Sequence, residues 1–99
     1  MVYLSVHTNE EFDEAMKTPN KVVKYSAEWC GPCKRIQPIF EQMAQNNPQI
    51  TFIHVDMDEV NAPIQSLPTF QFYRNGTLMY QFAGASSSSL HRSFTNVFG

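Results

Sequence analysis

The two cysteines of this chain stand two residues apart, in Trp29-Cys30-Gly31-Pro32-Cys33, between a strand-like run and a helical pattern. The run is Lys21-Val22-Val23-Lys24-Tyr25-Ser26. A strand that passes almost at once into a helix puts Cys30 at the helix start, where unpaired N–H groups and the helix dipole favour an anion. The thiolate is the attacking species in thiol chemistry, so this placement activates Cys30. The short spacing lets Cys33 reach back and close a disulfide. Together the two form a reversible two-electron switch.

The rest of the chain alternates strand and helix signals. Val2 to Val6 reads as a short strand. Thr8-Asn9-Glu10-Glu11 has the form of a capping box, and Phe12, Ala15 and Met16 then share one helical face until Pro19-Asn20 ends it. A second helix is predicted from about Cys33 to Gln45, with Ile36, Ile39, Phe40, Met43 and Ala44 inward. Pro38 lies inside it, removes one hydrogen bond and is expected to kink it. Ile50 to Val55 reads as a strand after the turn Asn46-Asn47-Pro48. Between Asp56 and Leu67 the sequence is polar and mixed, with room for one helical turn around Val60 to Gln65. Thr69 to Arg74 and Thr77 to Phe82 form a hairpin across Asn75-Gly76, the preferred pair of a type I′ turn. Ser86 to Ser89 start a last helix that carries Leu90, Phe94, Val97 and Phe98 inward. Early alternation gives parallel strands and the closing hairpin adds antiparallel ones.

Size and charge narrow the function. Ninety-nine residues, 42% hydrophobic with eight Phe and four Tyr, fit one domain over residues 1–99 with a real core. Charged residues make up 16% and the net charge is −2, with no basic patch, so no nucleic-acid partner is expected. No apolar run reaches the roughly 18 residues of a membrane span. Met1-Val2-Tyr3-Leu4-Ser5 leads directly into patterned sequence, so no signal or transit peptide is read there. A Cys-x-x-Cys in a βαβ pattern then reads as redox chemistry in a reducing compartment, and a cytoplasmic monomer is expected.

Blander readings exist for each signal. The cysteines would be inert if buried, but Gly-Pro between them and the helix behind favour exposed, activated sulfur. Half a zinc site needs two further ligands, and His7, His54 and His91 are scattered without paired spacing. No metal is expected, and the histidines receive no role. Trp29 is read as a partly exposed aromatic that shields the disulfide and touches substrate. Asn75-Gly76-Thr77 fits a glycosylation acceptor pattern but is read as the hairpin turn.

Ala27-Glu28-Trp29-Cys30-Gly31-Pro32-Cys33-Lys34 resembles the active-site segment of the thioredoxin family. Three more segments match in order: Val55-Asp56 at a strand end, Leu67-Pro68-Thr69 as the family's cis-proline segment, and Phe82-Ala83-Gly84-Ala85 as its late glycine loop. The resemblance runs from about Leu4 to Phe98. It implies a thioredoxin-like α/β fold with a mixed five-stranded sheet flanked by helices. It also implies a cis Leu67–Pro68 bond facing the cysteines, and a shallow groove at Trp29, Gly31, Pro32, Leu67, Pro68, Thr69, Ala83 and Gly84 that takes an extended substrate chain. The implied activity is reduction of protein disulfides: Cys30 attacks, a mixed disulfide forms, and Cys33 resolves it. No dinucleotide-binding glycine motif is present and no cofactor is expected in the chain, so the implied electron donor is an NADPH-dependent flavoprotein thioredoxin reductase.

Two departures from the family pattern stand out. Lys24 occupies the place of the usual buried aspartate, and Phe52 that of a lysine that often faces it. A charged, inward-pointing Lys24 would tune a thiol pKa; a solvent-directed one would do little. The segment from Asp56 to Pro68 is several residues short. Two alternatives therefore stay open beside the reductase: an adaptor that never cycles its cysteines, and a disulfide oxidase or isomerase, which usually has histidine where Pro32 stands.

Overall fold

The computed structural model describes residues 1–99. The elements run β1 (Val2–Val6), α1 (Asn9–Ala15), β2 (Lys21–Ser26), α2 (Gly31–Asn46), β3 (Thr51–Asp56), β4 (Thr69–Arg74), β5 (Thr77–Ala83) and α3 (Ser87–Phe98). The five strands form one sheet in the order β1-β3-β2-β4-β5. β1, β3 and β2 are mutually parallel, while β4 runs antiparallel to β2 and to β5. This is the mixed thioredoxin-like sheet that the resemblance implies.

Local chemistry accounts for the element ends. Thr8 caps α1, its hydroxyl accepting from Glu11 N at 3.0 Å. The Glu11 carboxylate reaches back to His7 N at 2.8 Å, one residue beyond the partner of a standard capping box. Ser86 caps α3 by accepting from Ser89 N at 3.1 Å. Asn75 and Gly76 both have positive φ, 53° and 81°, as a type I′ turn requires. Lys21 is buried on β2, and its ammonium donates to the carbonyl oxygens of Met16 and Thr18 at the end of α1. A cation there offsets both the loose carbonyls and the negative helix end.

One expectation fails. Residues 60–65 contain no helical turn. The turn forms earlier, where Asp56 O accepts from Glu59 N and Val60 N. Pro63 has no N–H with which to continue it, and Val60 is drawn into the core at 2% exposure.

The sheet buries both faces. On one, α2 and α3 pack through Ile36, Phe40, Met43, Ala44, Leu90 and Val97 onto Val22, Phe52, Phe70 and Phe72. On the other, α1 and the segment after β3 cover Val23, Tyr25, Ile53 and Val55. Alternation along β2 then places Lys24 on the α2 face with Val22. Phe40 is central to that layer. It is fully buried and meets the rings of Tyr3, Phe52 and Phe70 at 5.4–5.9 Å between centroids. Phe40→Ala is expected to lower the free energy of unfolding by about 3–5 kcal/mol in urea titration, because the surrounding rings cannot collapse into the space.

Candidate active site: a disulfide at the start of α2

Cys30 is the N-cap of α2, with extended backbone at φ −89° and ψ 105°. Its sulfur accepts from Cys33 N at 3.2 Å, so the first turn of the helix is capped by sulfur where other helices use an oxygen. Pro32 is tolerated because the first helical N–H groups have no partner to lose. The helix therefore begins at Gly31, two residues before the predicted start. Cys30 and Cys33 are joined as a disulfide, with Cα atoms 5.3 Å apart. Both cysteines are buried, Cys33 wholly and Cys30 at 5% exposure, so the exposed sulfur expected from the sequence is not what the structure shows.

Leu67 packs against the small cluster of Ala27, Cys30 and Cys33. The Leu67–Pro68 bond is cis, as the resemblance implies. Pro68 O accepts from Gly84 N at 2.9 Å, which ties the proline segment to the glycine loop. Gly84 has φ +110°, a conformation that favours glycine. Thr69 pairs with Ala83 at the open ends of β4 and β5. Thr69 is itself buried, and its hydroxyl donates to Ser66 O at 2.6 Å. Trp29 is 73% exposed, more than the partly exposed ring expected. Its indole N–H donates to Asp58 at 2.9 Å. Asp58 was not singled out from sequence, since it lies in the irregular segment after β3. Gly31 and Pro32 are exposed beside Trp29.

Behind the disulfide the chemistry is polar. Lys24 points inward and is 1% exposed. Its ammonium donates to Cys33 O at 2.9 Å and to the amide oxygen of Gln37. Gln37 in turn donates to the Tyr3 hydroxyl. Gln37 stands four residues after Cys33, one turn along the same helix face, and that spacing was the available signal. The register partner of Lys24 on β3 is His54, two residues along the same face from Phe52. His54 Nδ1 is buried without a hydrogen-bond partner. Burial, then the Lys24 charge, lowers its pKa to about 4, so the ring is neutral at physiological pH. Lys24, Cys33, Gln37, His54 and Asp56 line a common cavity of about 270 Å³.

Burial lowers the Lys24 amine to about 8 from the ordinary 10.5, against a smaller opposing pull from Glu41. The folded protein thus holds this proton less tightly than the unfolded chain. This group's contribution to stability rises with pH from about 8 to 10.5 and is a penalty below that window. Lys24→Met, which removes the buried charge at similar volume, is expected to raise the free energy of unfolding at pH 7 by about 1–4 kcal/mol. The gain should shrink as the pH is raised from 8 to 10, and urea unfolding across that range checks it.

Known proteins give the same picture. Residues 3–96 match the model of the Thioredoxin family. The chain is 42% identical over 92 residues to Thioredoxin-3 of Dictyostelium discoideum, covering 88% of each. It is 35% identical over 98 residues to Thioredoxin of Mus musculus, covering 91% of this chain and 93% of that one. In structure it aligns with Plasmodium falciparum thioredoxin at a TM-score of 0.84 and 37% identity, covering 93% and 96% of the two chains. Thioredoxin O1 from Arabidopsis thaliana, in its oxidized state, aligns over the full length of both chains at a TM-score of 0.89 and 26% identity. A sulfur-capped helix on this sheet, among such relatives, leaves one conclusion: the chain belongs to the thioredoxin family and is a thiol-disulfide oxidoreductase that reduces protein disulfides.

Proposed function

We propose that Cys30 is the attacking thiol and Cys33 the resolving thiol of a general protein-disulfide reductase. The observation that carries the order is their unequal placement. Cys30 caps the helix beside exposed Trp29, Gly31 and Pro32, while Cys33 is sealed one turn inside. A Cys30 thiolate at that helix start is favoured by the capping N–H groups and the dipole. It attacks one sulfur of a substrate disulfide, and the other substrate sulfur leaves with the electron pair as a thiolate. Cys33 then attacks Cys30, which closes the Cys30–Cys33 bond and releases the second substrate sulfur. Two electrons pass from the protein to the substrate.

In this reading the rim from Trp29 through Gly31 and Pro32 to Leu67, Pro68, Thr69, Ala83 and Gly84 receives the substrate chain. The bond between Gly84 N and Pro68 O supports it by holding two of these segments together. The oxidised pair must then be re-reduced, and an NADPH-dependent flavoprotein thioredoxin reductase is the proposed donor. Residues 1–99 act as one domain and as a monomer. A reducing compartment, the cytoplasm, suits a chain whose two cysteines both belong to one redox pair. None of its helices is long and apolar enough to cross a membrane.

Trapping tests the order of attack. Cys33→Ser incubated with a disulfide-bonded protein is expected to accumulate a mixed disulfide through Cys30, detected by mass spectrometry. Cys30→Ser is expected to form none and to lose disulfide reduction. Adducts on Cys33 in Cys30→Ser, with none in Cys33→Ser, would reverse the roles.

A further inference from the structure

One edge of the sheet is the outer side of β1, which pairs only with β3. An edge strand presents unpaired backbone N–H and C=O groups, and proteins commonly blunt it with charge or proline. Val2-Tyr3-Leu4-Ser5-Val6 carries neither. Val2 and Leu4 are 41% and 39% exposed, so apolar side chains meet water along the same edge. A groove of about 610 Å³ runs between β1 and α1. Leu4, Val6 and Ala15 form its apolar part, and Glu10, Glu11 and Glu14 line its α1 side.

These carboxylates are more than α1 needs for its own stability. Glu10 and Glu11 suit the positive start of the helix, but Glu14 stands in its last turn, where an anion is unfavourable. Glu10 and Glu14, four residues apart on one helix face, also repel each other. Lys17 pairs with Glu14 at 3.0 Å, an exposed contact that stabilises little. Glu10 and Glu11 have no cation at ion-pair distance. The opposite edge, β5, is uncharged as well, but its register with β4 shifts between Phe72 and Tyr73, and the groove beside it holds Arg92 and no carboxylate. Unpaired backbone, exposed apolar side chains and unrelieved negative charge coincide at β1.

We propose that the β1 edge is a docking site for an extended segment of another protein that carries lysine or arginine at alternate positions and adds a further strand beside β1. The backbone of the segment takes up the free N–H and C=O groups of β1. Its side chains alternate between the two faces of the sheet. On the α1 face, the aliphatic stems of its basic residues cover Leu4, and their charged ends reach Glu10 and Glu14 and cancel the repulsion between them. On the other face, its remaining side chains lie beside Tyr3 and Ser5. An acidic segment would add to the repulsion. The groove shares no residue with the cavity that Cys33 lines, so a docked partner leaves the disulfide free to react.

A fluorescein-labelled peptide in which lysine alternates with threonine is the probe. Fluorescence anisotropy measures its binding, and amide NMR shifts locate it. Binding is expected at low salt, weakening as salt rises, with shifts concentrated on Val2 to Val6 and on α1 in the oxidised and reduced protein alike. Exchanging each lysine of the peptide for glutamate is expected to abolish binding. Methylating its backbone nitrogens, which removes the strand hydrogen bonds and keeps the charges, is expected to do the same. Glu10→Gln combined with Glu14→Gln removes the repulsion within α1, so the variant is expected to fold and to bind the peptide about 10-fold more weakly. Absence of binding at low salt overturns the proposal. Equal binding of the glutamate or methylated peptide, or unchanged binding to the Gln variant, overturns it too. Shifts centred on Trp29 and Gly84, or on β5, would place the peptide elsewhere and overturn it. Dimerisation of the protein alone through β1, seen by sedimentation and by shifts confined to that strand, would make a second copy the occupant and overturn it as well. None of these outcomes bears on the order of attack at the cysteines.

Discussion

The apolar stripe of α2 that packs on β2, β3 and β4 decides where the first turn of that helix stands, and the first turn carries both sulfurs. Ile36, Phe40, Met43 and Ala44 are the buried contacts of the stripe. Because they are fixed against Val22, Phe52, Phe70 and Phe72 from these three strands, the helix cannot rotate without exposing them. Cys30 is thereby held at the surface end and Cys33 just beneath it. Pro38 does not disturb this arrangement. It and Lys34 are exposed, so the carbonyl left without a donor lies on the solvent side of the helix.

The same packing explains the polar pocket behind the disulfide. α2 covers a face of β2 and β3 that turns from apolar to polar toward its open end: Val22 and Phe52, then Lys24 and His54, then Ser26 and Asp56. Within one strand the core gives way to ionisable groups in steps of two residues. The lysine stem lies near the Phe40 ring, with the ammonium 5.9 Å from its centroid, so the apolar and polar halves share one side chain. The core and the polar pocket make opposite demands here: a methionine in place of Lys24 suits the core, whereas the amine meets the Cys33 carbonyl and the Gln37 amide oxygen.

Much of this was legible in the sequence, for identifiable reasons. Thr8, Ser86 and Asn75-Gly76 act through neighbours a few residues away, so their roles could be read locally and the structure bears them out. The cysteine pair belongs to the same class. The direction of Lys24 was not legible. Every residue of β2 is buried, so the alternation that normally separates inside from outside is missing, and only the register with β3 and the position of α2 fix the side chain. The bond from Trp29 to Asp58 spans 29 residues and depends on how the short segment after β3 turns. No local pattern encodes that turn, and a helical reading of residues 60–65 failed because Val60 was needed in the core.

Two of the seven basic side chains, Lys21 and Lys24, are buried, and their ammonium groups are engaged inside the fold. A molecule arriving from solution therefore finds five lysines and arginines to meet, against nine aspartates and glutamates. Both buried ammonium groups still count in the formal charge of −2 that sets the long-range field, but at contact the outer surface is more acidic than that figure. Encounter with a basic face is accelerated and encounter with an acidic one is slowed, over a range of about 10 Å that salt shortens. Hiding cations in the core has thus altered how the molecule selects its collisions, before any sulfur is touched.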